Sequence, residues 1–176
     1  RGGAGGRWGG GRGGARAGLV DWGAAGRLDA NRGGFGGIEA VVGPGGVRAT
    51  NALSRSVAAV GAACGGAERV VGAHFFNPAP VMPLVEIVPA ITTSPAHAEW
   101  ARALVQGWGK TTVVATDTPG FIGNRIARPF YGESLRILEG GGADVATIDW
   151  AMRGRGGFRR GRFELMGVIG KDGNCA

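Results

Sequence analysis

The run His74-Phe75-Phe76-Asn77-Pro78-Ala79-Pro80-Val81-Met82-Pro83-Leu84-Val85-Glu86-Ile87-Val88 constrains this chain more than any other segment. Asn77-Pro78 and Pro80 oppose a continued strand or helix, so the backbone must reverse there. The flanks, residues 69–76 and 84–88, are rich in Val, Ile and Phe and read as strands. Strands folded back about Pro80 bring His74 and Glu86 to similar heights. A carboxylate facing an imidazole fixes its tautomer and stabilises its protonated form, which is the arrangement a general base requires. On the pair alone, the plainer reading is a core histidine with an incidental surface glutamate.

Strand and helix patterns alternate on either side of this run. Residues 18–21 form a short strand candidate and residues 47–51 another. Residues 28–42 place Leu28, Phe35, Ile38 and Val42 at helical spacing, weakened by four glycines. Residues 54–64 read as an Ala-rich helix. In residues 94–108, Ser94 is a cap, Pro95 suits the first turn, and Ala98, Ala101, Leu104 and Val105 form an apolar stripe. His97 lies on that helix, outside any constellation, and is expected in solvent. Residues 111–116 make a further strand. From Pro119 onward the pattern is helical, over residues 119–139, 145–153 and 163–169, with Gly140-Gly141-Gly142 interrupting a helix end. The expected architecture is an α/β sheet followed by helices, with the boundary at Asp117-Thr118-Pro119.

Residues 1–17 are Gly, Arg and Ala with one Trp and bury no apolar surface, so disorder is expected. Arg1-Gly2-Gly3, Arg12-Gly13-Gly14 and Arg32-Gly33-Gly34-Phe35 resemble the RGG segments of RNA-binding proteins, in which Arg meets phosphate and stacks on bases. A non-catalytic RNA-binding interaction protein is therefore the alternative reading. Against it, Gly and Arg are frequent throughout the chain, which holds 38 Gly and carries a formal charge of +7. Cys64 and Cys175 lack metal-site spacing and read as thiols of a reducing compartment. No run approaches the roughly 18 apolar residues of a membrane span, and no secretory leader pattern opens the chain. A cytoplasmic location follows as the default.

The wording of the His74 run resembles the signature of the NAD-dependent 3-hydroxyacyl-CoA dehydrogenases, of the 3-hydroxybutyryl-CoA type. The resemblance continues in Gly109-Lys110, in Asp117-Thr118-Pro119-Gly120-Phe121-Ile122-Gly123-Asn124-Arg125, and in Ile148-Asp149-x-Ala151-Met152. It extends to Gly156-Gly157-Phe158 and Phe163-Glu164-Leu165-Met166, and upstream to Ala49-Thr50-Asn51 and Glu68-Arg69-Val70-Val71-Gly72. Motifs this long and ordered are far more specific than a lone glycine fingerprint.

The resemblance implies a partial Rossmann-type dinucleotide-binding domain over residues 18–117, then the start of an all-α substrate and dimerisation domain over residues 118–176. It implies NAD as cofactor, an acyl-CoA substrate, a homodimer in the complete protein, and no membrane or nucleic-acid partner. The reaction implied is oxidation of a 3-hydroxyacyl-CoA to the 3-ketoacyl-CoA, as in fatty-acid β-oxidation. His74 would be the base, Glu86 would orient it, Asn124 would help position the substrate, and Asn77 would lie near the nicotinamide.

Departures from the pattern point to a truncated and impaired copy. No strand–Gly-x-Gly-x-x-Gly–helix element is legible. Leu53 stands where the family has a substrate-binding serine, and Ser54 should point elsewhere. Gly26 and Asn31 replace a Glu and a Lys near the cofactor and CoA. Arg160, Arg162 and Gly167 replace the usual residues of the later motif.

Overall fold

A computed structural model describes residues 19–22, 46–51 and 56–169. The expected disordered segment 1–17, the helix expected over 28–42, and Gly26, Asn31, Leu53, Ser54 and Cys175 lie outside the described residues. The chain divides into two compact units, Arg1–Phe121 and Ile122–Ala176.

In the first unit a five-stranded sheet is built from β1 (Leu19–Trp22), β2 (Val47–Thr50), β3 (Val70–Phe75), β4 (Leu84–Pro89) and β5 (Thr111–Val114), in that spatial order. All neighbouring pairs are parallel except β3 and β4, which are antiparallel. The α/β reading therefore holds, as a mixed, mostly parallel sheet. A strand order that follows the sequence is what one wing of a doubly wound sheet gives, outward from its switch point.

Two helices, α1 (Val57–Gly61) and α2 (Pro95–Gly107), flank the sheet. Val47, Ala49, Val71, Ala73, Val85 and Ile87 pack with Ala101 and Val105 of α2. Val70 and Val88 pack with Val57 and Val60 of α1, together with Ala90, Ala115 and Phe121. With apolar partners for both faces, β3 and β4 read as near-continuous apolar runs interrupted by His74 and Glu86. Each of these fully buried Val side chains contributes about 1.5–3 kcal/mol. Gly72 lets α1 approach: a Cβ there would meet Val88 Cβ at 2.8 Å and Val57 Cγ2 at 2.9 Å.

Ser94 caps α2 as expected, its side chain accepting from the His97 N–H. His97 is half-buried and has partners of its own. Its Nδ1 lies 2.8 Å from Ser94 Oγ and 3.1 Å from the Glu68 carbonyl, so the ring ties the helix start to the turn before β3.

The second unit consists of α3 (Gly123–Glu139), α4 (Val145–Gly154) and α5 (Arg162–Ile169). Helix α3 starts four residues later than the expected Pro119, because Gly120 and Phe121 take left-handed φ angles of 77° and 47°. The triple glycine does not damage the end of α3 but closes it. Gly141 adopts φ 68°, its N–H reaches the Leu138 carbonyl, and the Gly142 N–H reaches the Ile137 carbonyl. That is the Schellman pairing, for which a left-handed glycine is the preferred residue.

Helix α5 packs on α3 and α4. Its first turn is capped from α4: Asp149, 7 % exposed, accepts from the Phe163 and Glu164 N–H groups at 2.9 Å each. Arg162 is also accommodated, its guanidinium lying 4.0 Å from the Phe158 ring centroid and 5.4 Å from that of Phe130. Such contacts are worth about 0.5–2 kcal/mol.

Candidate active site

The β3–β4 register sets His74 directly opposite Glu86. Strand parity then decides which face they share. Residues 71, 73, 85 and 87 face α2, whereas Val70, Val88, His74 and Glu86 fall on the face that holds α1 and Phe121. His74 Nδ1 lies 2.5 Å from Glu86 Oε2. Glu86 is 0 % exposed and His74 4 %. The glutamate is therefore not an incidental surface group.

A carboxylate only accepts, so Nδ1 is the donor and Nε2 is left as the basic nitrogen of the neutral ring. The ring is walled by Phe76 at 4.5 Å and Phe121 at 5.9 Å between centroids. In this apolar setting a proton accepted at Nε2 is stabilised mainly by Glu86. The pair can thus take a proton from a substrate hydroxyl and hold the resulting charge.

Polar clamps fix the segments around the pair. The Asn51 side-chain carbonyl accepts from the Phe75 N–H at 3.0 Å, joining the end of β2 to the residue after His74. Lys110 Nζ donates to the Ala79 carbonyl at 2.6 Å and the Met82 carbonyl at 2.9 Å, pinning the reversal between β3 and β4. Within that reversal the Pro78 carbonyl accepts from the N–H groups of Val81 and Met82.

Asn77 sits exposed at the start of the reversal, its bond to Pro78 cis. Asn124 is the second residue of α3, half-buried, in the other unit. The structure therefore brings together His74 and Glu86, with Asn77 three residues beyond His74.

The carboxyl ends of β1, β2 and β3 lie side by side, and a dinucleotide in a sheet of this class lies across such ends. Asn51 follows β2 there, and His74, Phe76 and Asn77 stand at and beyond the end of β3. No Gly-x-Gly-x-x-Gly turn occurs among the described residues.

Sequence reasoning missed Asp117 as a structural group. Its Oδ1 accepts from the Val57 N–H at 2.8 Å, and its Oδ2 accepts from the Ala58 N–H at 2.9 Å and from Ser56 Oγ at 2.7 Å. A cap supplied from some sixty positions away leaves no local signature, because capping motifs are read within one helix turn. Among the described residues no cluster of three or more metal-ligating side chains occurs, and no helix is long and apolar enough to cross a membrane.

Comparison with known proteins agrees with this geometry. Residues 20–118 match the 3-hydroxyacyl-CoA dehydrogenase NAD binding domain, and residues 120–176 match the C-terminal domain of the same enzymes. The chain is 43 % identical over 162 residues to the 3-hydroxyadipyl-CoA dehydrogenase of Escherichia coli K12, covering 92 % of this chain and 34 % of that one. It is 39 % identical over 124 residues to human mitochondrial hydroxyacyl-coenzyme A dehydrogenase, covering 70 % and 40 %. Among solved structures it superposes on the (S)-3-hydroxybutyryl-CoA dehydrogenase of Ralstonia eutropha with a TM-score of 0.84 at 32 % identity, covering 89 % of this chain and 56 % of that one. The chain thus spans about a third to a half of the curated relatives it matches. These matches leave the RNA-binding reading without support. The chain belongs to the 3-hydroxyacyl-CoA dehydrogenase family.

Proposed function

We propose that this chain carries the acid–base half of an NAD-dependent 3-hydroxyacyl-CoA dehydrogenase. The observation that carries the reading is the buried His74–Glu86 pair, 2.5 Å apart beside the ends of the parallel strands. His74 Nε2 takes the proton of the substrate's 3-hydroxyl. Glu86 holds Nδ1–H and stabilises the imidazolium. Phe76 and Phe121 keep water from the ring. NAD, when bound, accepts the hydride from carbon 3. Asn77 orients the nicotinamide side of the site, and Asn124 positions the acyl-CoA.

The substrate class follows the relatives, and the setting is fatty-acid β-oxidation or related acyl-CoA metabolism. Pairing of two copies through the helical unit is supported by the exposed apolar side chains Ile126, Leu135, Ile137 and Trp150. A cleft of about 380 Å³ lined by Pro129, Phe130, Ile137 and Met152 supports the same pairing. We place the protein in the cytoplasm, on the reducing character that the spacing of Cys64 and Cys175 indicates.

The test uses two proteins. One is the 176-residue chain. The other is a chimera in which the first half of the NAD-binding domain of the E. coli relative precedes residue 18. The chimera should reduce acetoacetyl-CoA with NADH, and His74→Gln in it should lower kcat by about 10²–10⁴-fold while leaving NADH affinity nearly unchanged. The chain alone should bind NADH weakly in calorimetric titration, because pyrophosphate binding needs backbone amides at a helix N-terminus after a strand. Near-normal turnover in the His74→Gln chimera sinks the assignment of the base.

A further inference from the structure

We infer that Asp117 is a positioning residue for His74, acting by anchoring the corner that holds Phe121 against the imidazole. The inference rests on the reading of His74 as the catalytic base and adds a group to its machinery.

Phe121 is 5 % exposed and has φ 47°. A bulky side chain in the left-handed region is an outlier, and such a residue persists only where its surroundings over-determine it. Its ring lies 5.9 Å from that of His74, so the outlier sits at the site and not at a remote turn. Gly120 before it is also left-handed, at φ 77°.

The groups that hold this corner can be named. The Phe121 N–H donates to the Thr118 carbonyl, and the Thr118 N–H to the Thr116 carbonyl. These bonds lie within the corner and fix its shape but not its place. Asp117, between them in sequence, fixes the place. Its carboxylate takes donors from Ser56, Val57 and Ala58 at 2.7–2.9 Å. Val57 is fully buried and would touch any Cβ placed on Gly72, two residues before His74. One carboxylate thus joins the Phe121 corner to α1, and α1 is seated on the strand that bears His74. Phe121, Val57, Val70 and Val88 belong to a single packed cluster, so a shift of the corner reaches the ring through contacting side chains.

Asp117→Asn separates positioning from mere capping. Asparagine keeps one oxygen for the Val57 N–H but presents an NH₂ group to Ala58 N–H, a donor facing a donor. In the 176-residue chain, exchange of the Ala58 amide should quicken about tenfold or more. The ¹⁵N and ¹³C resonances of the His74 ring should shift, although His74 and Glu86 are both intact. In the chimera, kcat should fall about tenfold with KM for NADH within about twofold. Phe121→Leu, which removes the ring and keeps the anchor, should reproduce the shift in His74. Adding Asp117→Asn to it should give no further loss of kcat, because both act through the same contact.

Faster Ala58 exchange with unmoved His74 resonances and unchanged kcat would reduce Asp117 to a helix cap and overturn the inference. Fully additive losses in the double variant would overturn it too. The His74 resonances are read without turnover, so this failure is distinct from that of the dehydrogenase reading, which the His74→Gln chimera tests. Should Asp117→Asn lower the helix content seen by circular dichroism, Ser56→Ala decides the question. It removes one of the three donors to Asp117 and leaves both backbone bonds, so a smaller shift of the His74 resonances supports the inference and unmoved resonances overturn it.

Discussion

His74→Phe is the substitution that most directly tests whether the buried pair is held as the structure indicates. Phenylalanine keeps a planar ring between Phe76 and Phe121, so little packing is lost. It removes the His74 Nδ1 donor 2.5 Å from Glu86 Oε2, on a side chain that is 0 % exposed. Removing one partner from a buried, charge-assisted hydrogen-bonded pair costs up to about 3–5 kcal/mol. For a chain of this size each kcal/mol lowers Tm by about 2–4 °C, so Tm should fall on the order of 10 °C. Glu86→Leu added to His74→Phe should recover most of that loss, because an apolar pair of similar volume is often as stable as the ion pair it replaces. The assay is urea and thermal unfolding at neutral pH, followed by circular dichroism, for the two single variants and the double. A loss under about 0.5 kcal/mol for His74→Phe, the level of an ordinary surface change, refutes the reasoning. So does a double variant no more stable than His74→Phe, since removal of the buried carboxylate that has lost its His74 donor is what the argument requires.

Gly72→Ala should destabilise the first unit by about 1–3 kcal/mol, read as a lower urea midpoint, because its Cβ would press on Val88 and Val57 at under 3 Å. Asp149→Ala should cost the helical unit about 1–2 kcal/mol and speed exchange of the Phe163 and Glu164 amides, which lose their acceptor. The pH dependence of α4 should follow Asp144, whose carboxyl is held below its usual range by its hydrogen bonds with Thr147. A depressed folded pKa stabilises above the unfolded value, so protection of the Thr147 amide should be full above about pH 4 and fade as acid titrates the folded carboxyl. In Asp144→Ala that protection should be low and flat with pH.

The parts of this molecule that the sequence disclosed are those governed by local rules. The prolines of the His74 run force a reversal, and strand parity then sets His74 opposite Glu86, so the pairing could be read before any coordinates. Ser94 and Pro95 fix the start of α2 through one turn of backbone, and the helix begins there. Errors arose where a local rule met a tertiary contact or was applied too literally. Pro119 resembles a helix-starting proline, yet Gly120 and Phe121 turn left-handed behind it and α3 begins at Gly123. The triple glycine looked like damage because glycine lowers helix propensity, although at this position it supplies the left-handed closure of α3. His97 is half-buried, and the contact the sequence did not disclose is with the Glu68 carbonyl on another element.

Asp117 and Lys110 show the same limit from the other side. Both stand inside motif segments, which marks them as noteworthy without saying what they touch. Lys110 reaches back to the Ala79 and Met82 carbonyls, and Asp117 to the start of α1. One steadies the reversal that carries Asn77, and the other steadies the corner that carries Phe121. A base in an apolar pocket must be held within a fraction of an ångström of its working geometry, and packing of small Val and Ala side chains leaves room for sliding that directed hydrogen bonds remove. Two charged side chains on either side of β5, Lys110 engaging the reversal of the His74–Glu86 hairpin and Asp117 engaging the start of α1, which packs on β3, supply that constraint from outside the site itself.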